Sequence, residues 1–528
     1  MAAPNLYGNA VANHRLGRYR NDQSPYSKEV WSQIPLGSKH LSMTHDTKSR
    51  REWLRAKLTG RDARFYGYTA FLTLVFFTGG SSRDDVQSLI ILRPLAILFG
   101  AYALTSMQWG AWKGRIFPLC IAIALFGLMV LQLIPLPPKI WTSLPGRQIF
   151  ADIAELSGIE QPWRPLTLSP SRTLNSLFSL GIPISGIMLY LNLDEQHRKK
   201  AIEVIIALAG ISVLWAAFQL TGSARSPLYL YDITNNGAAV GLFANRNHQA
   251  MLLATTIVVL SWYGASHAGA ARMAALKFYS SIAAIFVIVP LIFITGSRAG
   301  LILTTLALVA AMLLIYFGRY TIESHVFNGG TRAKKRWFVS RQAILCTTIA
   351  LAVTMAVLSI YFSRSLAFDR LLEDGDVGGL RGQLVPIISK MASDYFPWGS
   401  GFGSFEYVYR IYEPHELLNP TYLNQAHNDW IQFSIEGGLP AIVIVMAAAI
   451  WSTTQFLMLA KNWPHSRYTK YTVMMSAMVM MILIAGSVGD YPLRVPSLIT
   501  VFAIMACIFR DNLLDVQRSA IEEKNGVE

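Results

Sequence analysis

Apolar runs of roughly helix-spanning length, separated by short polar stretches, recur from residue 65 to residue 510. About 18 consecutive apolar residues suffice for a helix to cross the hydrocarbon core of a bilayer. The runs predict twelve spans, at 65–80, 89–109, 116–136, 174–193, 201–220, 248–265, 277–296, 299–317, 343–362, 438–460, 471–487 and 496–510; the first and the eleventh are short. Hydrocarbon offers no partner to a backbone N–H or C=O, so each span is expected to be a helix. The expected architecture is an all-α polytopic membrane bundle over 65–510. It is flanked by a basic N-terminal extension, 1–64, and a tail, 511–528.

Three of the segments between spans are long: 137–173, 221–247 and 363–437. The last is too long to be a simple connector, and loops of that size are usually functional or disordered. Its aromatic residues, among them Phe396, Trp398, Phe402, Phe405, Tyr407, Tyr409, Tyr412 and Tyr422, give it the means to pack. Within it, Leu380, Leu384, Ile387, Ile388 and Met391 recur at helical spacing and predict an amphipathic helix over 380–391, lying at the outer membrane surface. Pro386 is expected to kink it or mark its start. The stretch PWGSGFGSF that follows reads as a flexible turn. Without a preceding strand, Gly399, Gly401 and Gly403 do not make a dinucleotide cradle.

Composition agrees with a membrane protein. The chain of 528 residues is 53% hydrophobic and 15% charged, against about 25% charged in soluble domains. Its net charge of +15 raises the question of nucleic acid. With the basic N-terminus in the cytoplasm and sides alternating, cytoplasmic segments hold 31 of the 46 Lys and Arg and 14 of the 31 acids, a net of +17. Outer segments hold 15 basic and 17 acidic residues, a net of −2. That is the positive-inside bias, so both termini are expected in the cytoplasm. Clusters such as Arg198-Lys199-Lys200 and Arg332-Ala333-Lys334-Lys335-Arg336 are topology signals first and anionic-lipid contacts second. Nucleic acid is set aside as a partner. Cys120, Cys346 and Cys507 fall inside expected spans at no paired spacing, which suits neither disulfides nor a metal site. The polar, basic start of the sequence leads us to expect no cleavable signal peptide.

Polar groups near hydrocarbon are costly and are functional candidates by default. Four clusters are expected at the outer level. GLFANRNHQA places Asn245, Arg246, Asn247 and His248 at the mouth of the sixth span, as a cap with a snorkelling arginine or as a ligand site. TGSRAG pins Arg298 between two spans, where a guanidinium can bond helix-end carbonyls or hold an anion. Arg381 starts the amphipathic helix. In NQAHNDWIQFSIEGGLP, Asp429 and Gln432 have capping-box spacing, and Gln425, Asp429, Gln432 and Glu436 share a helical face. Gly437, Gly438 and Pro440 then predict a break between a short half-helix and the tenth span. His427 and Asn428 precede that half-helix, with the histidine free to face a ligand or to serve structure. Towards the C-terminus, Asp490 and Arg494 of GDYPLRVP are placed to pair with each other. The acidic run Glu373-Asp374-Gly375-Asp376 reads as a solvated turn, and Asp84-Asp85 lacks histidine or cysteine partners, so no metal site is expected.

These stretches, with the LRGQLVPIISK segment, occur in the order and positions seen in the O-antigen ligase/polymerase superfamily, and the chain resembles that family over residues 65–510. The resemblance implies a GT-C-like fold in the bacterial inner membrane and a metal-independent, inverting glycosyltransferase without cofactors. Such enzymes move a glycan from undecaprenyl diphosphate to a hydroxyl at the periplasmic face. By the same resemblance His427 matches the catalytic histidine, and Arg298 and Arg381 match the arginines that hold the diphosphate. Arg246 and the DYPLR segment look like the exopolysaccharide-polymerase branch. Asn245, Asn247, Asn428, Asp429, Glu436, Asp490 and Arg494 are then supporting or substrate-binding residues. Implied partners are the lipid-linked donor, an acceptor on a second lipid-linked glycan or on lipid A core, the bilayer, a chain-length regulator and a flippase.

The chemistry is coherent on its own terms. Fixed arginines stabilise the charge growing on a leaving diphosphate. A histidine, ordinarily titrating near about 6.5, can take the proton of an attacking hydroxyl. Polymerising repeat units is the leading expectation and ligation to lipid A core the alternative. A lipid-linked sugar transporter is the reading from another class. Transporters, however, gather polar groups near the midplane within repeats, and neither is visible here.

Overall fold

The computed structural model describes residues 59–265, 271–327, 377–418, 423–461 and 467–525. The described residues lie in one compact unit and are mostly helical. Helices α1 (Arg61–Thr78), α2 (Ser88–Thr105), the short α3 (Trp109–Trp112) and α4 (Phe117–Leu133) open it. A two-residue antiparallel pair follows, with Pro135 opposite Pro165 and Leu136 opposite Arg164. It encloses α5 (Pro138–Trp141) and α6 (Gln148–Leu156). Then come α7 (Pro170–Leu191), α8 (Glu195–Thr221), α9 (Arg246–Ala265), α10 (Ala271–Ile294) and α11 (Arg298–Phe327). After the large loop's α12 (Val377–Asp394) and α13 (Phe405–Tyr412), the unit closes with α14 (Asp429–Lys461), α15 (Arg467–Gly486) and α16 (Pro496–Asn525).

Eight of the described helices are long and apolar enough to cross a membrane: α2, α7, α8, α10, α11, α14, α15 and α16. The expected spans at 65–80, 116–136 and 248–265 coincide with α1, α4 and α9, which are helical but fall short of that length or apolarity. The expected span at 343–362 lies outside the described residues, as do Cys346, the Arg332–Arg336 cluster and the Glu373–Asp376 run. Many apolar side chains point outward, including Ile90, Ile97 and Leu98 of α2, Leu214 and Phe218 of α8, and Ile302 and Val309 of α11. In water such a surface would be a large aggregation patch; against lipid it costs nothing. The chain is a polytopic all-α membrane protein.

Helix α9 shows why apolarity alone misses a span. It packs against α8, α10, α11 and α15, and nearly every residue from His248 to Ala265 is buried. A helix wrapped in protein can carry Gln249, Thr255, Thr256 and Ser261, because neighbours and its own carbonyls satisfy them. Gln249 accepts from Ser212 Oγ at 2.7 Å, and Thr256 and Ser261 donate to carbonyls one turn back. Small residues let the helices approach closely: Gly300 lies against Ala250, and Gly486 against Met251 and Leu303.

The large loop has a core of its own. Ile388 and Met391 of α12 bury against Tyr395, Phe405, Val408, Tyr409, Ala426 and Ile435. The expected amphipathic helix is therefore present and longer, from Val377 to Asp394. Of its apolar stripe, however, Ile388 and Met391 are covered by α13 and the start of α14, and Leu384 and Ile387 are partly buried against the same cluster. PWGSGFGSF is likewise a packed turn, not a flexible one. Ser400 and Ser404 are fully buried, and Gly399, Gly401 and Gly403 all hold positive φ. The turn is clasped on both sides: Ser400 N donates to Ile435 O at 2.8 Å, and Leu168 N donates to Ser400 O at 2.9 Å. Arg147, buried, donates to Leu166 O at 2.6 Å and Gly399 O at 3.0 Å. Burial pulls that guanidinium down to about 10.

A β-carbon on Gly401, at φ +102°, would collide with Thr167. Gly401→Ala is expected to destabilise the loop by more than about 1 kcal/mol, through both the positive φ and the clash. A fall in the thermal unfolding midpoint of the purified protein, relative to an exposed control without positive φ such as Gly110→Ala, would report it.

Candidate active site

The expected half-helix is there. Gly438, at φ 60° and ψ −156°, breaks α14 and separates residues 429–437 from the long apolar part. The cap differs from the expected capping box. Asn428 is the cap, its Oδ1 accepting from the N–H of Trp430 at 3.0 Å and of Ile431 at 3.1 Å. Asp429 is thereby freed to turn away from the helix. Gln432 reaches back to accept from Ala426 N at 2.8 Å, which ties the loop bearing His427 to the half-helix.

Two linked polar networks follow. In the first, Arg494 donates to Glu436 Oε2 at 3.0 Å and lies in ion-pair contact with Asp429 Oδ1 at 3.2 Å, both carboxylates of the half-helix. Asp429 also accepts from Ser487 Oγ at 3.0 Å and Leu493 N at 3.2 Å. Glu436, fully buried, accepts from Gln432 at 3.1 Å and Phe405 N at 3.3 Å. Asp490 and Arg494 do not pair as expected: the half-helix carboxylates, some sixty residues earlier, claim the guanidinium.

In the second network Asp490 is fully buried between two histidines. Its Oδ1 stands 3.7 Å from His427 Nδ1 and 3.8 Å from His248 Nε2. Its Oδ2 accepts from Asn247 Nδ2 at 2.6 Å. Burial pushes this carboxyl up, but His427, His248 and Asn247 more than offset that and hold it at about 2. His427 is the one non-glycine residue with positive φ, 50°, among the described residues. Such backbone costs of order 1–3 kcal/mol and tends to mark functional sites. Its ring lies 5.0 Å from that of Tyr491, and its side chain is about one-third exposed.

The arginines sit differently. Arg246 begins α9, half-buried, its Nη1 3.6 Å from the point where a β-carbon on Gly296 would lie. It thus leans on the turn that carries Arg298. Arg298 begins α11 and is exposed, paired with no acid among the described residues. Arg381 lies on α12, with its side chain outside the described residues. Asn245 caps α9, accepting from Asn247 N at 2.9 Å.

The starts of α9, α11 and α14 and the end of α15 therefore share one end of the bundle, and His427, Asp490, Asn247, Asn245, Arg246 and Arg298 gather there. Asp429, Glu436, Arg494 and Asn428 build the wall that holds the half-helix in place. Sequence reasoning missed His248 as a partner of Asp490. It also missed Gln132, which donates to Glu436 O at 3.0 Å and accepts from Phe402 N at 3.0 Å. A lone glutamine inside an apolar run was the available signal. Among the described residues no three His, Cys, Asp or Glu side chains gather to hold a metal ion.

No curated protein matches the chain. Residues 282–446, the segment that contains Arg298, Arg381 and His427, match the family model described as O-Antigen ligase, which supports the resemblance to the O-antigen ligase/polymerase superfamily.

Proposed function

We propose that the chain is an inverting membrane glycosyltransferase that moves a glycan from a polyprenyl diphosphate, undecaprenyl diphosphate in a bacterial inner membrane, to a sugar hydroxyl on the periplasmic side. The observation that carries this reading is His427: strained, partly exposed, backed by a buried carboxylate, and inside the family segment. His427 takes the proton of the acceptor hydroxyl as that oxygen attacks the anomeric carbon. Arg298, Arg381 and Arg246 neutralise the diphosphate as it leaves, a role that needs fixed cations and no metal. Attack from the face opposite the leaving group inverts the anomeric centre.

Joining lipid-linked repeat units is the acceptor chemistry we favour, on the likeness of the NRN and DYPLR stretches to exopolysaccharide polymerases. Ligation to lipid A core is the second reading, favoured by the description of the matching family. A host deleted for the gene separates them when complemented with wild type, Arg298→Ala or Arg381→Ala at matched membrane levels. Each variant is expected to lower transfer by roughly 10²–10³-fold, the usual cost of one lost charge-stabilising donor. Single repeat units on the carrier, without long chains, mean polymerase. Long chains retained on the carrier mean ligase. Normal surface polysaccharide from both variants would remove the arginines from the site.

A further inference from the structure

His248 is buried to 1% exposure, and neither ring nitrogen has a hydrogen-bond partner among the described residues. An unsatisfied buried polar group costs about 1–3 kcal/mol. A phenylalanine would fill the same space, against Tyr491 at 5.2 Å between ring centroids, without that cost. Packing alone therefore does not account for an imidazole here. Among the described residues its charged partner is Asp490 Oδ1 at 3.8 Å, the same oxygen that faces His427 Nδ1 at 3.7 Å. Tyr491 lies beside both rings. One carboxylate oxygen thus serves two histidines, one buried and one partly exposed.

We propose that His248 is a positioning residue that acts on His427 through Asp490, drawing on the shared carboxylate oxygen from the buried side and so setting both the orientation of the His427 ring and how readily it takes a proton. The inference rests on His427 being the base of the transfer described above. Asp490 favours a charged His427, because an opposite charge within about 4–6 Å stabilises the imidazolium. His248 opposes this, whether as a neutral N–H donor that blunts the carboxylate or as a competing cation. The titratable and charged groups around the pair are Asp490 and Tyr491 on the α15–α16 connection, His248 on α9, and Asp429 with Arg494 beyond them. Arg83 faces Tyr491 from the α1–α2 connection.

The two variants Asp490→Asn and His248→Phe therefore have opposite expected effects, which a merely structural role does not produce. The full chain in lipid nanodiscs is labelled with diethylpyrocarbonate across pH 5–9. Modification of the peptide bearing His427 is read by mass spectrometry, since only neutral imidazole reacts. In Asp490→Asn the labelling midpoint is expected to move to lower pH. In His248→Phe it is expected to move to higher pH, and His248→Gln, which keeps a donor, returns it towards wild type. Midpoints unchanged in both variants, or moved in the same direction, overturn the proposal. Should Asp490→Asn not fold, His248→Phe decides alone: an upward shift supports the proposal and no shift overturns it. Labelling reports on His427 whether or not the chain transfers glycan. A failed transfer reading and a failed histidine pairing are thus told apart by a parallel transfer assay.

Discussion

His427→Ala is expected to lower glycan transfer by roughly 10²–10⁴-fold, the range typical of a lost general base. The protein should still reach the membrane, because this side chain is partly exposed and anchors no apolar core. The alanine would hold the same φ of 50°, an unfavourable backbone for any residue with a β-carbon. His427→Gln holds that same backbone but is the better companion, since it keeps the size and a hydrogen-bonding tip but cannot carry the proton. In a reconstituted assay with a lipid-linked donor, both variants should lose turnover with little change in the donor concentration needed for half-maximal rate. A loss confined to donor binding would move His427 from proton transfer to substrate binding.

Arg494→Ala carries the largest expected structural cost, about 3–5 kcal/mol. Deleting one member of a buried ion pair strands the other charge, and here two carboxylates are stranded. Glu436 is fully buried, and the Asp429 side chain is 10% exposed. Arg494→Lys keeps the charge, but one ammonium cannot reproduce the fork that reaches both carboxylates, so an intermediate loss is expected. Arg494→Met combined with Glu436→Gln should recover part of the stability by removing a stranded charge. The thermal unfolding midpoint in detergent reads all three. If Arg494→Ala unfolds like wild type, the tie between the half-helix and the α15–α16 connection is not what holds the loop.

Much of this was legible in the sequence, for physical reasons. Apolar runs leave a chain few choices in a bilayer, so every expected span within the described residues coincides with a helix. The break in α14 was legible because Gly437, Gly438 and Pro440 stand together, and Gly438 adopts the positive φ that glycine tolerates. Partner choice was not legible. Asp490 and Arg494 are four residues apart and opposite in charge. Yet Arg494 is taken by Asp429 and Glu436, and Asp490 by Asn247 and two histidines, from helices far away in sequence. The stripe on α12 gave the helix but not its cover, because an apolar face at helical spacing fits a protein core as well as a membrane surface. The pairing of His248 with Asp490 was not legible because a histidine beside a cap residue carries no mark of the carboxylate, 242 positions later, that it faces.

The most direct test of the central claim places the purified chain in liposomes with a polyprenyl-diphosphate-linked glycan and an acceptor glycan. Product size, anomeric linkage and free carrier diphosphate are then followed. An inverting transferase releases the carrier diphosphate and forms a new inverted linkage, and His427→Gln loses both. Movement of the lipid-linked glycan across the bilayer, with its length and linkage unchanged and no carrier released, would contradict that claim and make the chain a transporter.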